Sequence, residues 1–189
     1  MTTNGMSHVM VCGGSVAEWA EMSPDDWRQR TTLVATAARN DGAAWVTIIP
    51  YTGVPADGAQ RIVDTLVGQC GGTKFGNRVV VNSDQMVSVI VDPNTDALQR
   101  IATAAEALNG RSISEDTLAT AVCAPAPTEP DLCVVLGPAT QMPPSLVWEL
   151  AYAELVFLNV PWAELDADAL EIAIADFARR DRRFGGVDS

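Results

Sequence analysis

The chain of 189 residues carries 24 acidic residues against 12 basic ones, which gives a formal net charge of −12 at pH 7. Such an acidic balance argues against nucleic-acid binding, which requires a basic surface to replace the counterions of the phosphates. Apolar residues make up 48% of the sequence, as in a globular protein with a substantial core. No apolar run approaches the roughly 18–20 residues of a membrane span, and the start, MTTNGMSHVM, lacks the pattern of a secretory signal. We therefore expect a single cytoplasmic domain over residues 1–189.

The cysteines and the single histidine indicate structural roles. Cys12, Cys70, Cys123 and Cys133 lie in or beside apolar stretches, without the C-x-x-C spacing of a zinc site. We expect buried free thiols in a reducing compartment and no bound metal. His8 opens the first apolar run, where a structural role is expected rather than acid–base catalysis.

The first quarter of the chain is predicted to form a strand, a helix and a second strand. The apolar run HVMVC at 8–12 stops at a Gly-Gly pair, as a buried strand before a tight turn does. Ser23 and Pro24 then form a typical helix start, and apolar residues recur at helical spacing up to Gly42. The strongly apolar run 44–51 predicts the second strand.

The middle of the chain is predicted to hold two helices and two strands. The predicted order is a helix at 56–67, a loop at 68–78 and strands at 78–81 and 87–91. Asp96 is the expected cap of the next helix, which ends at Gly110. Its expected buried face consists of Leu98, Ile101, Ala102, Ala105 and Leu108.

The remainder of the chain is predicted to end in two helices. Ser114 opens a short helix, and the apolar run 131–137 predicts a strand that ends at Gly-Pro. A helix is expected over 145–158, and another after Asp166 that buries Leu170, Ile174 and Phe177. Strands that are apolar throughout and alternate with amphipathic helices indicate an α/β fold, with a parallel sheet covered by helices on both faces.

Two turns at the carboxyl ends of strands are candidate ligand sites, since ligands collect there in open α/β sheets. Gly13-Gly14-Ser15 and Gly137-Pro138 have the small residues that let backbone amides hold a phosphate, although tight turns need glycine for steric reasons alone. Among the acids, Glu154 is flanked by apolar residues and is expected to be buried on the same helix as Glu149. The loops contain no closely spaced aspartates to hold magnesium.

The stretch from Trp148 to Gly186 resembles the C-terminal segment of the cis-prenyltransferases, the undecaprenyl diphosphate synthase family. That family typically shows W-x-x-A-Y-A-E-L-x-F, then a W-P-x-F-like loop, then a helix ending R-x-R-R-F-G-G. The matching positions are Trp148, Ala151, Tyr152, Ala153, Glu154, Leu155, Phe157, Trp162, Phe177, Ala178, Arg179, Arg182, Arg183, Phe184, Gly185 and Gly186. HVMVCGGSVAEWA sits where the family has H-V-x-x-x-M-D-G-N-G-R-W-A, with His8, Trp19 and Ala20 in register. The resemblance implies the family's fold, shortened in the middle, where the helices that wall the product tunnel have little room between Gly68 and Val87.

The departures from the family pattern all remove groups that bind diphosphate. The family's metal-binding aspartate falls at Gly14, and the neighbouring G-N-G-R becomes Ser15-Val16-Ala17-Glu18. The family's S-x-E-N-x-x-R-P motif becomes Thr52-Gly53-Val54-Pro55, and R-T-G-G-E-H-R-x-S becomes residues 135–143, VLGPATQMP. Prenyl transfer needs magnesium and cations on the leaving group, so we expect the chain to have no catalytic residues and no cofactor of its own.

The resemblance extends to heteromeric enzymes in which one subunit has lost its site and keeps the tail, as in the Nogo-B-receptor type subunit of dehydrodolichyl diphosphate synthase. It implies a catalytic paralogue as partner, with Mg²⁺ in the partner's site, and leaves open a peripheral contact of the complex with the inner face of the membrane. The tail, residues 182–189, would complete the partner's site through Arg182, Arg183, Phe184, Gly185 and Gly186. Four of the twelve cations fall between Arg179 and Arg183, although they also suit the negative end of a helix.

Two other functions remain open at this point. One is a self-sufficient enzyme that reuses the fold to make prenyl or terpenoid diphosphates, with Gly13-Gly14-Ser15 and Glu154 supporting a new diphosphate chemistry. The other is a homodimeric pseudoenzyme that binds a lipid or a regulatory protein.

Overall fold

The computed structural model describes residues 6–82 and 86–179, apart from the side chains of Asp57, Ala178 and Arg179. Within these residues one seven-stranded sheet organises the chain. Its strands are β1 (His8–Cys12), β2 (Trp45–Ile49), β3 (Thr73–Phe75), β4 (Arg78–Asn82), β5 (Ser88–Val91), β6 (Leu132–Leu136) and β7 (Glu154–Leu158). The order across the sheet is β3-β4-β5-β2-β1-β6-β7, and the strands from β5 to β7 run parallel. The predicted α/β class with a mostly parallel sheet is confirmed.

Six α-helices accompany the sheet in the described part of the chain. They are α1 (Val16–Glu21), α2 (Pro24–Asn40), α3 (Ala59–Gln69), α4 (Ala97–Ala107), α5 (Glu115–Cys123) and α6 (Ala167–Arg179). One-turn 3₁₀ helices occur at Pro55–Asp57, Pro144–Leu146, Glu149–Ala151 and Trp162–Glu164. The expected starts at Ser23, Asp96 and Ser114 are confirmed, because each side chain accepts a hydrogen bond from an amide of the first turn. None of these helices combines the length and hydrophobicity that a membrane span requires.

The two faces of the sheet differ in character. On the first face, alternate strand residues pack with α2, α3 and α6 into the main core, which includes the fully buried side chains of Trp27, Leu66 and Leu170. On the second face, Cys12, Cys133 and their neighbours form a smaller apolar cluster that Leu146 covers. The first face therefore carries the larger of the two cores.

The predicted helix at 145–158 is wrong. Residues 149–151 form a single 3₁₀ turn, and Glu154–Leu158 is strand β7, paired in parallel with β6 from Leu132 to Leu136. An almost continuous apolar run fits either a helix or a strand, and here pairing with a neighbouring strand decides between them. Glu154 consequently opens an edge strand and is half-buried.

Strand β3 and the orientation of α4 also differ from the predictions. Thr73–Phe75, predicted as loop, pairs in antiparallel register with β4, which itself runs antiparallel to β5. Helix α4 buries Ala97, Arg100 and Ala104, whereas Leu98, an expected core residue, is 68% exposed. Leu108 is buried as expected, at 8% exposure, but the buried face of α4 is otherwise rotated to include Arg100.

Arg100 is buried because it forms an ion pair with Glu149. The Nη2 atom of Arg100 lies 2.6 Å from Oε1 of Glu149, and the two side chains are 4% and 1% exposed. Burial acts to lower the pKa of Arg100, but the attraction of the Glu149 and Asp92 carboxylates outweighs it and raises that pKa. The pair connects α4 to the segment that precedes β7.

His8 has the structural role that its position predicts. It is 1% exposed, its Nδ1 lies 2.8 Å from the carbonyl oxygen of Thr128, and its Nε2 lies 2.9 Å from Oγ1 of Thr47. Since a carbonyl only accepts, Nδ1 carries the proton and Nε2 accepts from the threonine hydroxyl. Burial lowers the pKa of His8 from 6.5 to about 4, so the ring is neutral at physiological pH.

The neutral state of His8 predicts a pH-dependent stability. Between the unfolded pKa of 6.5 and the folded pKa of about 4, the unfolded chain binds the extra proton. The contribution of His8 to the free energy of unfolding is therefore complete above pH 6.5. It falls by up to about 1.4 kcal/mol per pH unit as the pH drops toward 4. Urea unfolding of the unsubstituted protein and of His8→Gln across pH 5–7 measures this slope as the difference between their free energies of unfolding. The contribution of the titrating carboxylates is common to both proteins and cancels in this difference. Parallel curves for the two proteins would contradict the assignment.

The buried ion pair predicts a large effect of removing either partner alone. Glu149→Gln leaves the Arg100 charge buried, so we expect a loss of about 3–5 kcal/mol in the free energy of unfolding. The double variant Arg100→Met/Glu149→Leu should be more stable than either single variant, because it leaves no uncompensated charge. The exposed pair of Arg61 and Glu21, 2.7 Å apart, is the matched control, and Glu21→Gln should cost less than about 1 kcal/mol. Equal losses at the two pairs would refute this account.

Candidate functional site

Three loops meet at the carboxyl ends of neighbouring parallel strands. β1 leads into the turn 13–15, β2 into 50–55 and β6 into 137–143, and β1 lies between the other two in the sheet. Ser15 and Thr52 form an isolated parallel bridge, and the hydroxyl of Tyr51 donates to the carbonyl oxygen of Gln141 at 3.0 Å. The structure therefore brings together the two turns that the sequence singles out.

The backbone amides of the first turn donate to groups of the protein itself. The amide of Gly13 donates to the Ile49 carbonyl at 3.0 Å, and the amide of Val16 donates to the Thr52 carbonyl at 3.1 Å. The Glu18 carboxylate accepts from both the amide and the hydroxyl of Ser15, at 2.8 and 2.9 Å. An internal acid thus occupies the position in which an anion would bind. Phosphate binding by Gly13, Gly14 and Ser15 stays a prediction, and these hydrogen bonds do not favour it.

Gly14 has no space for a side chain. Its φ angle is +70°, and a Cβ atom added there would lie 2.8 Å from Nε1 of Trp19 and 2.9 Å from Cγ of Trp162. Contacts this short require the surrounding rings to move, and a positive φ is itself unfavourable for residues other than glycine. An aspartate at position 14 is therefore incompatible with this packing.

An aromatic cluster fills the region beneath this turn. The rings of Trp19 and Trp162 lie 5.2 Å apart, and Trp27 contacts Trp19 edge-on at 5.5 Å. The Arg30 guanidinium lies 4.6 Å from the Trp162 ring centre and donates to the carbonyl oxygen of Leu165 at 2.8 Å. This cation is therefore engaged by an aromatic face and a carbonyl, which stabilise the loop that carries Trp162.

The electrostatics of the three loops are unsuited to a diphosphate. Residues 13–18, 50–55 and 137–143 contain no lysine, arginine or histidine, and Glu18 is their one acid. A bound diphosphate would meet a carboxylate and no loop cation, so the loops alone supply no charge stabilisation.

Ser15 and Glu154 do not share a site. Ser15 follows β1 at the carboxyl end of the parallel strands, whereas Glu154 begins β7 opposite Leu132, at the amino end of β6. Five-residue strands place these ends roughly 13 Å apart. The structure therefore does not support a diphosphate chemistry that combines the two side chains.

The structure offers no metal centre in its described part. Residues 6–82 and 86–179 contain no group of three His, Cys, Asp or Glu side chains placed to hold an ion. All four cysteines are free, and Cys12, Cys123 and Cys133 are buried. Burial raises the pKa of Cys12 and Cys123 to about 12 and that of Cys133 well above its usual value, so these thiols stay protonated and unreactive.

The structure describes Trp162 but not the predicted tail residues. Arg182, Arg183, Phe184, Gly185 and Gly186 lie outside the described residues. The sequence did not reveal that Trp162 covers Gly14, since the two are far apart in the chain. The one available signal was the family's tryptophan loop, which matches at this position.

Comparison with protein families identifies a match for just over half of the chain. Residues 88–185 match the family model described as "Putative undecaprenyl diphosphate synthase". An "Isoprenyl transferase 2" of Bradyrhizobium diazoefficiens is 37% identical over 117 residues, covering 57% of this chain and 46% of that protein. An "Isoprenyl transferase" of Neisseria gonorrhoeae is 44% identical over 73 residues, covering 39% of this chain and 29% of that protein. The matched stretches therefore span less than half the length of these curated relatives.

Solved structures share the fold over nearly the whole chain. A probable undecaprenyl diphosphate synthase from Campylobacter jejuni superposes with a TM-score of 0.63 at 14% identity, covering 97% of this chain and 100% of that one. Lavandulyl diphosphate synthase from Lavandula x intermedia, in complex with dimethylallyl diphosphate, gives the same TM-score and identity, covering 96% and 99%. A structural similarity at this low sequence identity establishes the fold alone. The match of residues 88–185 to the family model shows that the chain belongs to the undecaprenyl diphosphate synthase family of cis-prenyltransferases, and the shared fold agrees with it.

Proposed function

We propose that the chain is a non-catalytic activating subunit of a heteromeric cis-prenyltransferase that makes polyprenyl diphosphate. In this proposal its catalytic partner binds Mg²⁺ and both substrates, and the RRFGG segment of this chain completes the partner's active site. The observation that carries the proposal is the packing of Gly14, the position of the family's metal-binding aspartate, against Trp19 and Trp162.

The packing of side chains on the first face of the sheet supports the same function. Elongation of a prenyl chain needs an apolar channel, and the resemblance assigns its walls to the middle of the chain. Here α3 has 11 residues, and its Ile62 and Leu66 side chains are buried in the main core with Trp27 of α2. Side chains of the chain itself therefore occupy the space between α2, α3 and the sheet.

A partner surface is available beside β7. Val147, Leu150 and Tyr152 expose 46%, 46% and 44% of their surface, although all three are large apolar or aromatic residues. Leu155 and Phe157 of the edge strand are half-buried next to them. Exposed apolar groups beside a strand edge are typical of a protein interface. This surface belongs to the segment with the strongest resemblance to the family, whose subunits pack side by side through their C-terminal halves.

The acidic balance of the chain fits a helper better than an enzyme. The three loops at the carboxyl ends of the strands lack cations, whereas four of the twelve cations lie between Arg179 and Arg183. An arginine and two glycines suit a segment that approaches a diphosphate with side-chain charge and backbone amides.

The competing function is prenyl transfer by this chain alone, because the curated relatives are named as isoprenyl transferases. An incorporation assay with labelled isopentenyl diphosphate and an allylic primer separates the two. It is run for this chain, for an intact paralogue from the same cell, and for the two co-expressed. The proposal expects high activity only in the mixture. Turnover by this chain alone, or a paralogue that is fully active without it, would refute the proposal.

The tail contribution predicts the effect of a single substitution. Arg183→Ala should lower the activity of the co-expressed complex by at least about 100-fold, since loss of one charge-stabilising donor costs that much in kcat. The assembled complex should form in unchanged yield on size-exclusion chromatography. Arg61→Ala, which removes an exposed arginine outside the family motif, is the matched control and should retain activity. Full activity of the Arg183→Ala complex would remove the tail from the mechanism.

Restoring the family's aspartate should damage the fold and should not restore turnover. Gly14→Asp forces the Trp19 and Trp162 rings to move, so we expect a loss of about 3 kcal/mol in the free energy of unfolding. Gly71 is a matched control, because it has the same backbone angle, φ +71°, and nothing within 4 Å of an added Cβ. Gly71→Asp should lose about 1 kcal/mol. If chemical denaturation gives equal losses, or if Gly14→Asp gains magnesium-dependent activity, the turn has room for a metal ligand.

A further inference from the structure

The second face of the sheet holds a cavity that is separate from the candidate site. Helices α4 and α5 and the β3–β4 hairpin enclose about 730 Å³, within the range of roughly 300–1,000 Å³ that small-molecule sites occupy. Arg78 of β4 reaches the end of α5 here, donating to the Val122 carbonyl at 2.8 Å. None of the residues 13–15, 50–55 or 137–143 lines it.

The walls contributed by the two helices combine alanines with threonines, since Thr103, Thr117 and Thr120 also line the cavity. The apolar part of one wall comes from Ala104 and Ala107 of α4 and from Leu108 directly after it. The apolar part of the other wall comes from Ala121 of α5 and from Ala124 directly after it. Small side chains on both sides leave the space open, so an apolar chain can lie between the helices in contact with methyl groups.

The charged side chains of the lining are largely paired. Three of the twelve cations line the cavity, Arg78, Arg100 and Arg111, against two of the 24 acids, Asp92 and Asp116. Arg78 pairs with Asp92, and Arg100 pairs with Glu149, so Arg111 and Asp116 are the lining charges that remain. Arg111 is the cation that an anionic head group can contact.

The three arginines differ in how far their hydrogen-bonding capacity is used. Arg78 pairs with Asp92 at 2.8 Å and is fully engaged together with α5 carbonyls. Arg100 pairs with Glu149, yet its Nε is buried without a hydrogen-bond partner among the described residues. Arg111 forms no ion pair with residues 6–82 or 86–179. This exposed arginine is therefore the contact that the lining offers to an anionic head group.

We infer that this cavity binds an amphipathic anion, an unbranched apolar chain with one carboxylate or phosphate head group. The apolar chain lies between α4 and α5 along their alanines, and the head group lies at the cavity rim next to Arg111. The inference does not depend on the proposed function, since neither the turn at Gly14 nor the exposed residues Val147, Leu150 and Tyr152 line the cavity.

Isothermal titration calorimetry of the full chain tests the inference with three ten-carbon probes. Decanoate and decyl phosphate present the two head groups, and decanol presents the same apolar chain without charge. We expect saturable binding of at least one anion, about two- to fivefold tighter than decanol, as an exposed charge contact provides. Acetate and inorganic phosphate alone should not bind. Absence of saturable binding by both anions, or equal affinity for decanol, would overturn the inference.

Substitutions on α4 locate the probe. Ala107→Phe fills the cavity and should weaken binding at least about tenfold, whereas Ala102→Phe, exposed on the same helix but outside the lining, should leave it within twofold. Arg111→Gln should lower the affinity for the two anions to that for decanol. Arg61→Gln, which removes the same charge elsewhere on the surface, should leave the affinity for the anions unchanged. Near-UV circular dichroism verifies that each variant is folded. Equal effects of the two phenylalanines would place the probe elsewhere and refute the site.

Discussion

Gly14 packs against Trp19 and Trp162, and this contact holds together the parts of the molecule around the first strand. It joins the turn after β1 to helix α1 and to the loop before α6, and Trp27 and Arg30 extend the cluster along α2. The same contact requires a residue without a side chain at position 14. The aromatic rings and a metal-binding carboxylate at position 14 therefore exclude each other, because both need the same space.

The consequences of that choice extend over the sheet. Glu18 caps the first turn, and the loops at the carboxyl ends of the strands carry no cation for a diphosphate. The features left for interaction in the described part of the chain are the exposed apolar residues beside β7 and the cavity between α4 and α5. This distribution fits a family member whose scaffold serves other molecules rather than its own reaction.

Local signals predicted most of the fold, and the failures arose where distant residues decide the outcome. Caps at Ser23, Asp96 and Ser114 act within one turn, so their helices were placed correctly. Residues 154–158 form a strand because β6 supplies hydrogen bonds, and Arg100 is buried because Glu149, 49 positions later, compensates its charge. For the same reason, the sequence identified the loss of the aspartate at position 14, but only the fold reveals that two tryptophans close the space.

The central claim is that this chain does not bind diphosphate by itself, and equilibrium dialysis tests it most directly. The isolated chain is dialysed against labelled isopentenyl diphosphate, with and without magnesium, under conditions in which an intact paralogue binds. We predict no saturable binding with or without the metal, since the amides of Gly13 and Ser15 are internally bonded and the three loops carry no cation. Saturable, magnesium-dependent binding would contradict this prediction, because the chain would then have a diphosphate site although Trp19 and Trp162 exclude a metal-binding side chain at position 14.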